Sequence, residues 1–179
     1  MTNRYATIMD NDIVDGEDIC VSFWVQGCPH RCKGCHNPET WDFNGGKELP
    51  TNYKEIILNK INKNGIQRNF SILGGEPLCP ENLTLVEELV TEVRNTYPSI
   101  KIFLWTGYTL NQLKLRCDRR IFHILKQLDY LIEGPFVLAQ RDITLKWRGS
   151  TNQRVINKKY LNEYLDNYYI QNITNWKNW

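Results

Sequence analysis

Three cysteines within eight residues are the feature of this sequence that points most directly to chemistry. Cys28, Cys32 and Cys35 stand in the stretch GCPHRCKGCHN with the spacing C-x3-C-x2-C. Structural zinc sites close with four ligands, usually from paired C-x2-C or H-x3-H elements, and no second pair follows in this sequence. On a four-iron cluster, three thiolates leave one iron without a protein ligand, so a substrate can bind there. We therefore favour an open [4Fe-4S] cluster.

The histidines and the other cysteines near this segment leave a second interpretation open. Either His30 or His36 could complete a Cys3His zinc site. The remaining cysteines are not expected to be ligands. Cys20 and Cys117 are predicted to be ordinary buried thiols. A thiolate from Cys79 would close the iron that the chemistry needs open, so we assign this residue a structural role.

Further segments give the chain a specific resemblance. The cysteine motif resembles the cluster signature of the radical S-adenosylmethionine (SAM) superfamily, and GCPHRCKGCHNPETW resembles the activating proteins of anaerobic ribonucleoside-triphosphate reductase. Four more segments resemble that family in the same order, over roughly residues 10–156: GGEPL at 74–78, WTGY at 105–108, DYLIEGPF at 129–136 and WRGSTNQR at 147–154. The GGEP loop is common to many members of the superfamily, whereas RGSTNQR points to the reductase activators.

The resemblance implies an activity, its cofactors and its partners. Three cysteines, here Cys28, Cys32 and Cys35, would hold a [4Fe-4S] cluster, which in its reduced form cleaves SAM to methionine and a 5′-deoxyadenosyl radical. That radical would take a hydrogen from one glycine of the anaerobic reductase and leave a stored glycyl radical. A low-potential electron donor such as flavodoxin is also implied.

By the same resemblance, the residues that bind SAM lie in two loops: Gly34, Cys35, His36, Gly74, Gly75 and Glu76. The glycine pair would receive the amino group of SAM, with Glu76 aiding or shaping the loop. The cysteine loop would contact the adenine side. Many members carry an aromatic residue where Gly34 stands, so His36 would supply that surface here. Glycine also serves tight β-to-α turns, so a purely structural role for the pair stays open.

Hydrophobic periodicity predicts the elements that position these motifs. Apolar, β-branched and aromatic runs predict four buried strands, at 19–25, 70–73, 101–105 and 130–132. Helices are predicted between them, at 53–61 with Thr51 as its cap, between Pro80 and Pro98, and as a broken stretch at 110–127. Strands that alternate with helices in this way predict βαβ units and a parallel sheet.

The predicted fold brings the motifs together. In parallel α/β folds ligands bind at the carboxyl ends of the strands, and each motif follows one predicted strand. Four or five strands would make a short, open partial (β/α) barrel of the radical SAM type, and the open side suits a macromolecular substrate. We assign residues 1–156 to this domain. Residues 157–179 are predicted to extend it with an amphipathic helix, containing Leu161 and Leu165, that packs on the same domain or docks a partner.

Composition excludes several other classes of protein. The 179 residues are 41% hydrophobic and 23% charged, which is typical of one folded domain. A net charge of +2 gives no basic excess for binding nucleic acid. The longest apolar stretch, 19–25, is far shorter than the roughly 20 residues of a membrane span, and the first residues do not resemble a signal peptide. We therefore expect a cytoplasmic protein with no membrane or nucleic-acid partner.

Two rival functions remain open. Another radical SAM enzyme, acting on a small molecule or on a different glycyl-radical enzyme, would share the cysteines and GGEP but would not need RGSTNQR. A non-catalytic zinc or iron-sulfur module would need the cysteines alone. Arg148 could hold the SAM carboxylate, contact the partner's backbone or simply anchor its own loop. His123 lies among apolar residues and is predicted to be structural.

Overall fold

A computed structural model describes residues 4–166 of the chain, and within them a single sheet organises the fold. Its strands are β1 (Arg4–Asp12), β2 (Cys20–Val25), β3 (Lys47–Glu48), β4 (Asn69–Gly74), β5 (Ile102–Thr106), β6 (Tyr130–Glu133) and β7 (Arg154–Asn157). Their order across the sheet is β3-β1-β2-β4-β5-β6-β7. The protein is therefore an α/β protein with an open, mixed sheet.

The centre of the sheet confirms the predicted strands. The neighbouring strands β2, β4, β5 and β6 run parallel. Their side chains are almost continuously buried, as expected for parallel strands that are covered on both faces. Each predicted strand agrees with the observed one to within one residue at either end.

The edges of the sheet show where the prediction of a parallel sheet of four or five strands is wrong. Strands β1 and β3 on one side and β7 on the other are antiparallel to their neighbours. None of the three was predicted. Both β3 and β7 are short, β3 is exposed throughout, and most of β1 is only half-buried, so their hydrophobic patterns are weak. These strands pair through their backbones with their neighbours in the sheet, and few of their side chains reach the core.

Four α-helices are described in full: α1 (Tyr53–Ile61), α2 (Leu83–Thr96), α3 (Leu110–Leu115) and α4 (Arg119–Gln127). All four lie where helices were predicted, but Thr51 does not cap α1, because Asn52 occupies the cap position. The predicted break between 110 and 127 has a physical cause. Thr109 and Gln112 form a capping box at the start of α3, and Asp118 caps α4, so each helix has its own start signal.

The order of the strands explains why one face of the sheet carries the helices. Successive parallel strands are added in one direction across the sheet, so right-handed crossovers place α1, α2 and the α3–α4 pair on the same face. Their apolar sides form the main core with the sheet. Residues 158–166 are also helical, and Leu161 and Leu165 are buried in that core. The rest of the predicted extension, residues 167–179, lies outside the described residues.

One of the two predictions of cysteine burial is confirmed and the other is wrong. Cys20 is fully buried in β2, as expected. Cys117 is exposed, because it lies in the turn between α3 and α4 rather than inside a helix. His123 is exposed and pairs with Glu87 at 3.1 Å, because the apolar side of α4 is formed by other positions. Among the described helices, none has the length and apolar character needed to cross a bilayer.

Candidate functional site

The loops that leave the carboxyl ends of the four parallel strands meet around an open cleft. The cysteine loop follows β2, GGEP follows β4, WTGY ends β5, and EGPF follows β6. The cleft is lined by residues from each of these loops, among them Cys28, Cys32, Cys35, Gly74, Gly75 and Glu76.

The shape of the cysteine loop, residues 28–36, is set by backbone hydrogen bonds at both of its ends. Before the loop, the Gly27 N–H donates to the Thr40 carbonyl at 2.8 Å, and the Cys28 N–H donates to the Trp41 carbonyl at 3.1 Å. Within it, the Cys35 N–H donates to the Cys32 carbonyl at 3.1 Å, which makes a tight turn. All three thiols therefore face one cleft from a short, closed loop.

Burial favours the protonated form of two of the three thiols, Cys28 and Cys32, when no metal is bound. Burial raises the pKa of the Cys28 thiol to about 11, and burial also raises the pKa of Cys32. A metal or cluster takes thiolates, so these protons must leave when it binds. Cluster assembly at this loop should accordingly release protons to solvent.

The donor set suits an iron-sulfur cluster. Thiolates are the ligands that such clusters use, and zinc accepts them too. Neither histidine stands free beside the thiols. His30 is bonded through its Nε2 atom to Glu76, and the ring of His36 lies edge-on to Phe136, with centroids 6.3 Å apart. Among residues 4–166, no three Cys, His, Asp or Glu side chains are grouped as ligands of one metal ion. Three thiols that line one cleft suit an iron-sulfur cluster.

Glu76 is the polar centre of the site. Its side chain is 1% exposed and accepts four hydrogen bonds. The donors come from three loops: the Leu78 N–H at 2.8 Å, the Thr106 hydroxyl at 2.7 Å, the Gly107 N–H at 2.7 Å and His30 Nε2 at 2.9 Å. A carboxylate offers about four acceptor positions, so the chain itself occupies all of them. Glu76 shapes the loop and has no acceptor position left for a ligand's amino group.

The two glycines before Glu76 have a structural reason of their own. A side chain at Gly75 would place its Cβ 2.4 Å from the carbonyl oxygen of Gly27, and one at Gly74 would lie 2.9 Å from that of Val25. Gly74 also has φ of +100°, a backbone conformation that favours glycine. The pair therefore allows the GGEP loop to pack directly on the backbone that leads into the cysteine loop.

The adenine side predicted from Gly34, Cys35 and His36 has an additional neighbour. A Cβ at Gly34 would lie 2.9 Å from Cδ1 of Leu138, which follows β6. An aromatic residue at this position would displace Leu138, and the φ of +78° at Gly34 also favours glycine. Phe136 lines the cleft and lies beside His36. The apolar surface here comes from the loop after β6.

The RGSTNQR segment buttresses the loop after β6. The Gln153 side chain accepts from the Gly149 N–H at 2.9 Å and donates to the Gly134 carbonyl at 3.0 Å. The Asn152 amide donates to the Pro135 carbonyl at 2.8 Å. Gln153 itself lines the cleft. This segment thus forms part of the wall of the site.

Arg148 behaves as an anchor in this structure. Its guanidinium donates to the Gln153 carbonyl at 2.8 Å, and among residues 4–166 its buried Nε atom has no hydrogen-bond partner. It is not among the residues that line the cleft. Of the three roles predicted for Arg148, the contacts support the anchoring of its own loop.

Several residues of the site were missed or undervalued by sequence reasoning. The sequence predicts His30 only as a possible fourth ligand, although its position in CPHRC marks it as part of the loop. It predicts no role for Thr106 or Asn82. The Asn82 amide donates to the Gln26 and Glu76 carbonyls, each at 3.0 Å, and so ties the end of β2 to the GGEP loop. The Thr in WTGY was the available signal for Thr106, whereas nothing local marks Asn82.

Comparisons with known proteins agree with the geometry. The family model described as a 4Fe-4S single cluster domain matches residues 14–156. The chain is 38% identical over 143 residues to a Vibrio cholerae protein named anaerobic ribonucleoside-triphosphate reductase-activating protein, covering 79% of this chain and 90% of that protein. Proteins of the same name from Escherichia coli K12 and Enterobacteria phage T4 are 36% and 33% identical, covering 80% and 85% of this chain and 92% of each relative.

Proposed function

Because this chain belongs to the family of anaerobic ribonucleoside-triphosphate reductase-activating proteins and matches the model of the 4Fe-4S single cluster domain, we propose that it activates an anaerobic ribonucleotide reductase by cleaving SAM reductively. The observation that carries the proposal is the cleft at the carboxyl edge. There the three cysteines, the GGEP loop and Gln153 of RGSTNQR line one cavity.

The cysteines would hold a [4Fe-4S] cluster and leave one iron for SAM. Cys28, Cys32 and Cys35 line the cleft. Cys79 is buried next to the start of α2, where the Leu83 N–H donates to the Cys79 carbonyl. When bound, the reduced cluster supplies one electron that breaks the C5′–S bond of SAM, and the resulting 5′-deoxyadenosyl radical takes a hydrogen atom from a glycine of the reductase.

The GGEP loop would receive the amino group of SAM through its backbone. The Gly75 N–H already donates to the Val25 carbonyl at 2.9 Å, and the Glu76 N–H donates to the Gly27 carbonyl at 2.8 Å. These amides are turned toward the chain, so carbonyl oxygens are what the loop offers to a ligand. Carbonyl oxygens accept hydrogen bonds, which suits a positively charged amine and not a carboxylate.

The walls of the cleft would protect the radical. Trp105 and Phe136 line it and would shield a reactive carbon from water. The sheet is open and does not close into a complete barrel. We propose that this is a short, partial barrel of the radical SAM type, and that a loop of the reductase carrying the target glycine enters through the open side. Flavodoxin, or a donor of similar potential, would supply the electron.

The proposal is tested by reconstituting the protein anaerobically and mixing it with reductant, SAM and the anaerobic reductase of the same source. We expect about four irons and four sulfides per chain, 5′-deoxyadenosine as a product, and a doublet glycyl-radical EPR signal on the reductase. Exposure to oxygen should then cut the reductase chain at the radical site. Reduced flavodoxin should support the same reaction when it replaces a chemical reductant such as dithionite.

Two results would favour the rival functions. If SAM is cleaved but a matched reductase gains no radical, a radical SAM enzyme with another substrate becomes the better interpretation. Stoichiometric zinc without sulfide would instead indicate a zinc module and would exclude the proposed chemistry.

A further inference from the structure

His30 occupies a position that neither the cysteine motif nor the GGEP motif explains. It lies between two of the cysteines, at the centre of CPHRC, and lines the cleft with 19% of its side chain exposed. Its Nε2 atom is 2.9 Å from Oε2 of Glu76. Because that carboxylate only accepts hydrogen bonds, Nε2 is the nitrogen that carries the hydrogen. His30 thus donates a charge-assisted bond from the cysteine loop into the next loop.

The acceptor of this bond joins three loops. The same carboxylate binds the Thr106 hydroxyl and the Gly107 N–H at the end of β5, and the Leu78 N–H in its own loop. Glu76 is buried, so each of these bonds is shielded from water and would be costly to leave unmade. Through Glu76, the position of His30 is set relative to both the GGEP loop and the WTGY loop.

Packing holds the His30 ring in the orientation that this bond requires. The ring lies edge-on to Tyr108, with centroids 4.5 Å apart and an interplanar angle of 68°. Gly107 also lies against the His30 ring, so closely that a Cβ added at Gly107 would be 2.5 Å from Cδ2 of His30. The guanidinium of Arg116 lies over the Tyr108 ring, 5.1 Å from its centroid. The ring therefore has little freedom to turn toward the thiols.

We propose that His30 is a positioning residue that clamps the cysteine loop to the GGEP and WTGY loops through Glu76. The clamp keeps the open iron at a fixed distance from the backbone that receives the amino group of SAM. His30 then acts on SAM binding without being a cluster ligand. This inference rests on the proposed function, because it assigns the purpose of the clamp to SAM.

The chain offers a matched set of variants for the test. His30→Ala removes the donor, whereas His30→Gln keeps an amide donor at a similar reach from the backbone. His123→Ala is the control, because it breaks another His–Glu pair, with Glu87, on the exposed side of α4. Full-length protein is reconstituted anaerobically, and iron and sulfide content, SAM affinity and amide hydrogen exchange are measured for each variant.

The clamp predicts a specific pattern of results. His30→Ala should keep the parent's iron and sulfide content, bind SAM about tenfold or more weakly, and exchange amide hydrogens faster over residues 28–36 and 105–108 before reconstitution. His30→Gln should return SAM affinity to within about threefold of the parent. His123→Ala should stay within about twofold.

Each other outcome overturns the proposal in a distinct way. Parent-like SAM affinity and exchange in His30→Ala would show that no clamp exists. Loss of iron in both the alanine and the glutamine variants would make His30 a ligand. If His30→Ala does not fold, His30→Asn takes its place, because the Asn side chain is one carbon too short for its amide to reach Glu76. Equal SAM affinity in the Asn and Gln variants would then exclude the clamp. If the parent itself binds no SAM, the proposed function fails, while exchange in the unreconstituted protein still decides whether the loops are clamped.

Discussion

At the carboxyl ends of the parallel strands the loops leave a cleft, whereas at the amino ends residues 13–19 are drawn down onto the sheet. The Trp147 indole N–H donates to the Gly16 carbonyl at 2.8 Å, and the Asn69 amide donates to the Glu17 carbonyl at 2.8 Å. The Ser71 hydroxyl also donates to the Asp15 carbonyl. We call the carboxyl ends of the parallel strands, with their cleft, the open edge, and the amino ends, covered by residues 13–19, the closed edge.

The two edges use different chemistry. At the open edge, backbones approach closely and one carboxylate, Glu76, satisfies donors from three loops. At the closed edge, Trp147 packs edge-on against Phe103 and Tyr130, with centroids 5.2 Å from each. Substitutions at the open edge should therefore act on ligand binding, and substitutions at the closed edge should act on stability. The following predictions test that division, in order of decreasing effect.

The cysteines should give the largest effect, and only on the cluster. Replacing Cys28, Cys32 or Cys35 with Ser should abolish the iron and sulfide of the reconstituted protein, because three thiolates are the minimum for this cluster. The metal-free variants should unfold within about 1 kcal/mol of the parent in denaturant. Cys117→Ser, at an exposed turn, is the control and should retain the cluster. Retention of a full cluster by any of the three variants would contradict the ligand assignment.

Trp147→Ala should give the largest loss of stability, because it removes a large aromatic contact and the bond to Gly16 at the closed edge. We expect the free energy of unfolding to fall by about 2–4 kcal/mol, measured by denaturant titration. Ile143→Ala, in the same loop but 80% exposed, should change it by less than about 0.5 kcal/mol. A stability loss no larger than that of the control would show that the closed edge does not depend on this aromatic contact.

Gly75→Ala should affect both properties, because its Cβ would lie 2.4 Å from the Gly27 carbonyl oxygen. The GGEP loop and the cysteine loop must then move apart, at a cost of about 1–3 kcal/mol. Iron content and SAM affinity should both fall. Gly65→Ala is the control, because a Cβ added at Gly65 would have no atom within 4 Å. It should lower the free energy of unfolding by about 1 kcal/mol, owing to the positive φ, and leave the cluster intact. Normal iron content in Gly75→Ala would mean that the two loops move independently.

Asp15 should make the closed edge sensitive to pH. Burial, with the nearby charge of Asp12 as a smaller cause, raises the pKa of Asp15 to about 7 from its ordinary 3.8. The folded protein therefore holds a proton that the unfolded chain loses, and stability falls as pH rises from about 4 through 7. Asp15→Asn cannot titrate, so its stability relative to the parent should grow by about 1–2 kcal/mol between pH 5 and pH 8.

The measurement for Asp15 is denaturant unfolding of the metal-free protein at the two pH values. Asp18→Asn, an exposed position in the same loop, is the control and should follow the parent at both. A constant difference between Asp15→Asn and the parent would show that Asp15 is ionised in the fold throughout this range.

The sequence by itself determined the parallel centre of the fold and the meeting of the motifs. Burial on both faces makes β2, β4, β5 and β6 continuous apolar runs, and the helices between them have local periodicity and caps. Because alternating strands and helices force right-handed crossovers, the four motifs had to share one edge. These features depend on residues that are close in sequence, so hydrophobic periodicity is enough to predict them.

Only the tertiary structure decided which polar groups and which backbones meet. The four donors to Glu76 come from loops up to 46 residues away, and Trp147 reaches Gly16 across 131 residues. Periodicity indicates whether a side chain faces the core, but it does not encode a partner across such distances. The approach of Gly75 to Gly27 likewise follows from the register of β2 and β4 and not from either motif alone. The open cleft and the closed amino edge are therefore products of long-range register and hydrogen bonding, which a single sequence does not display.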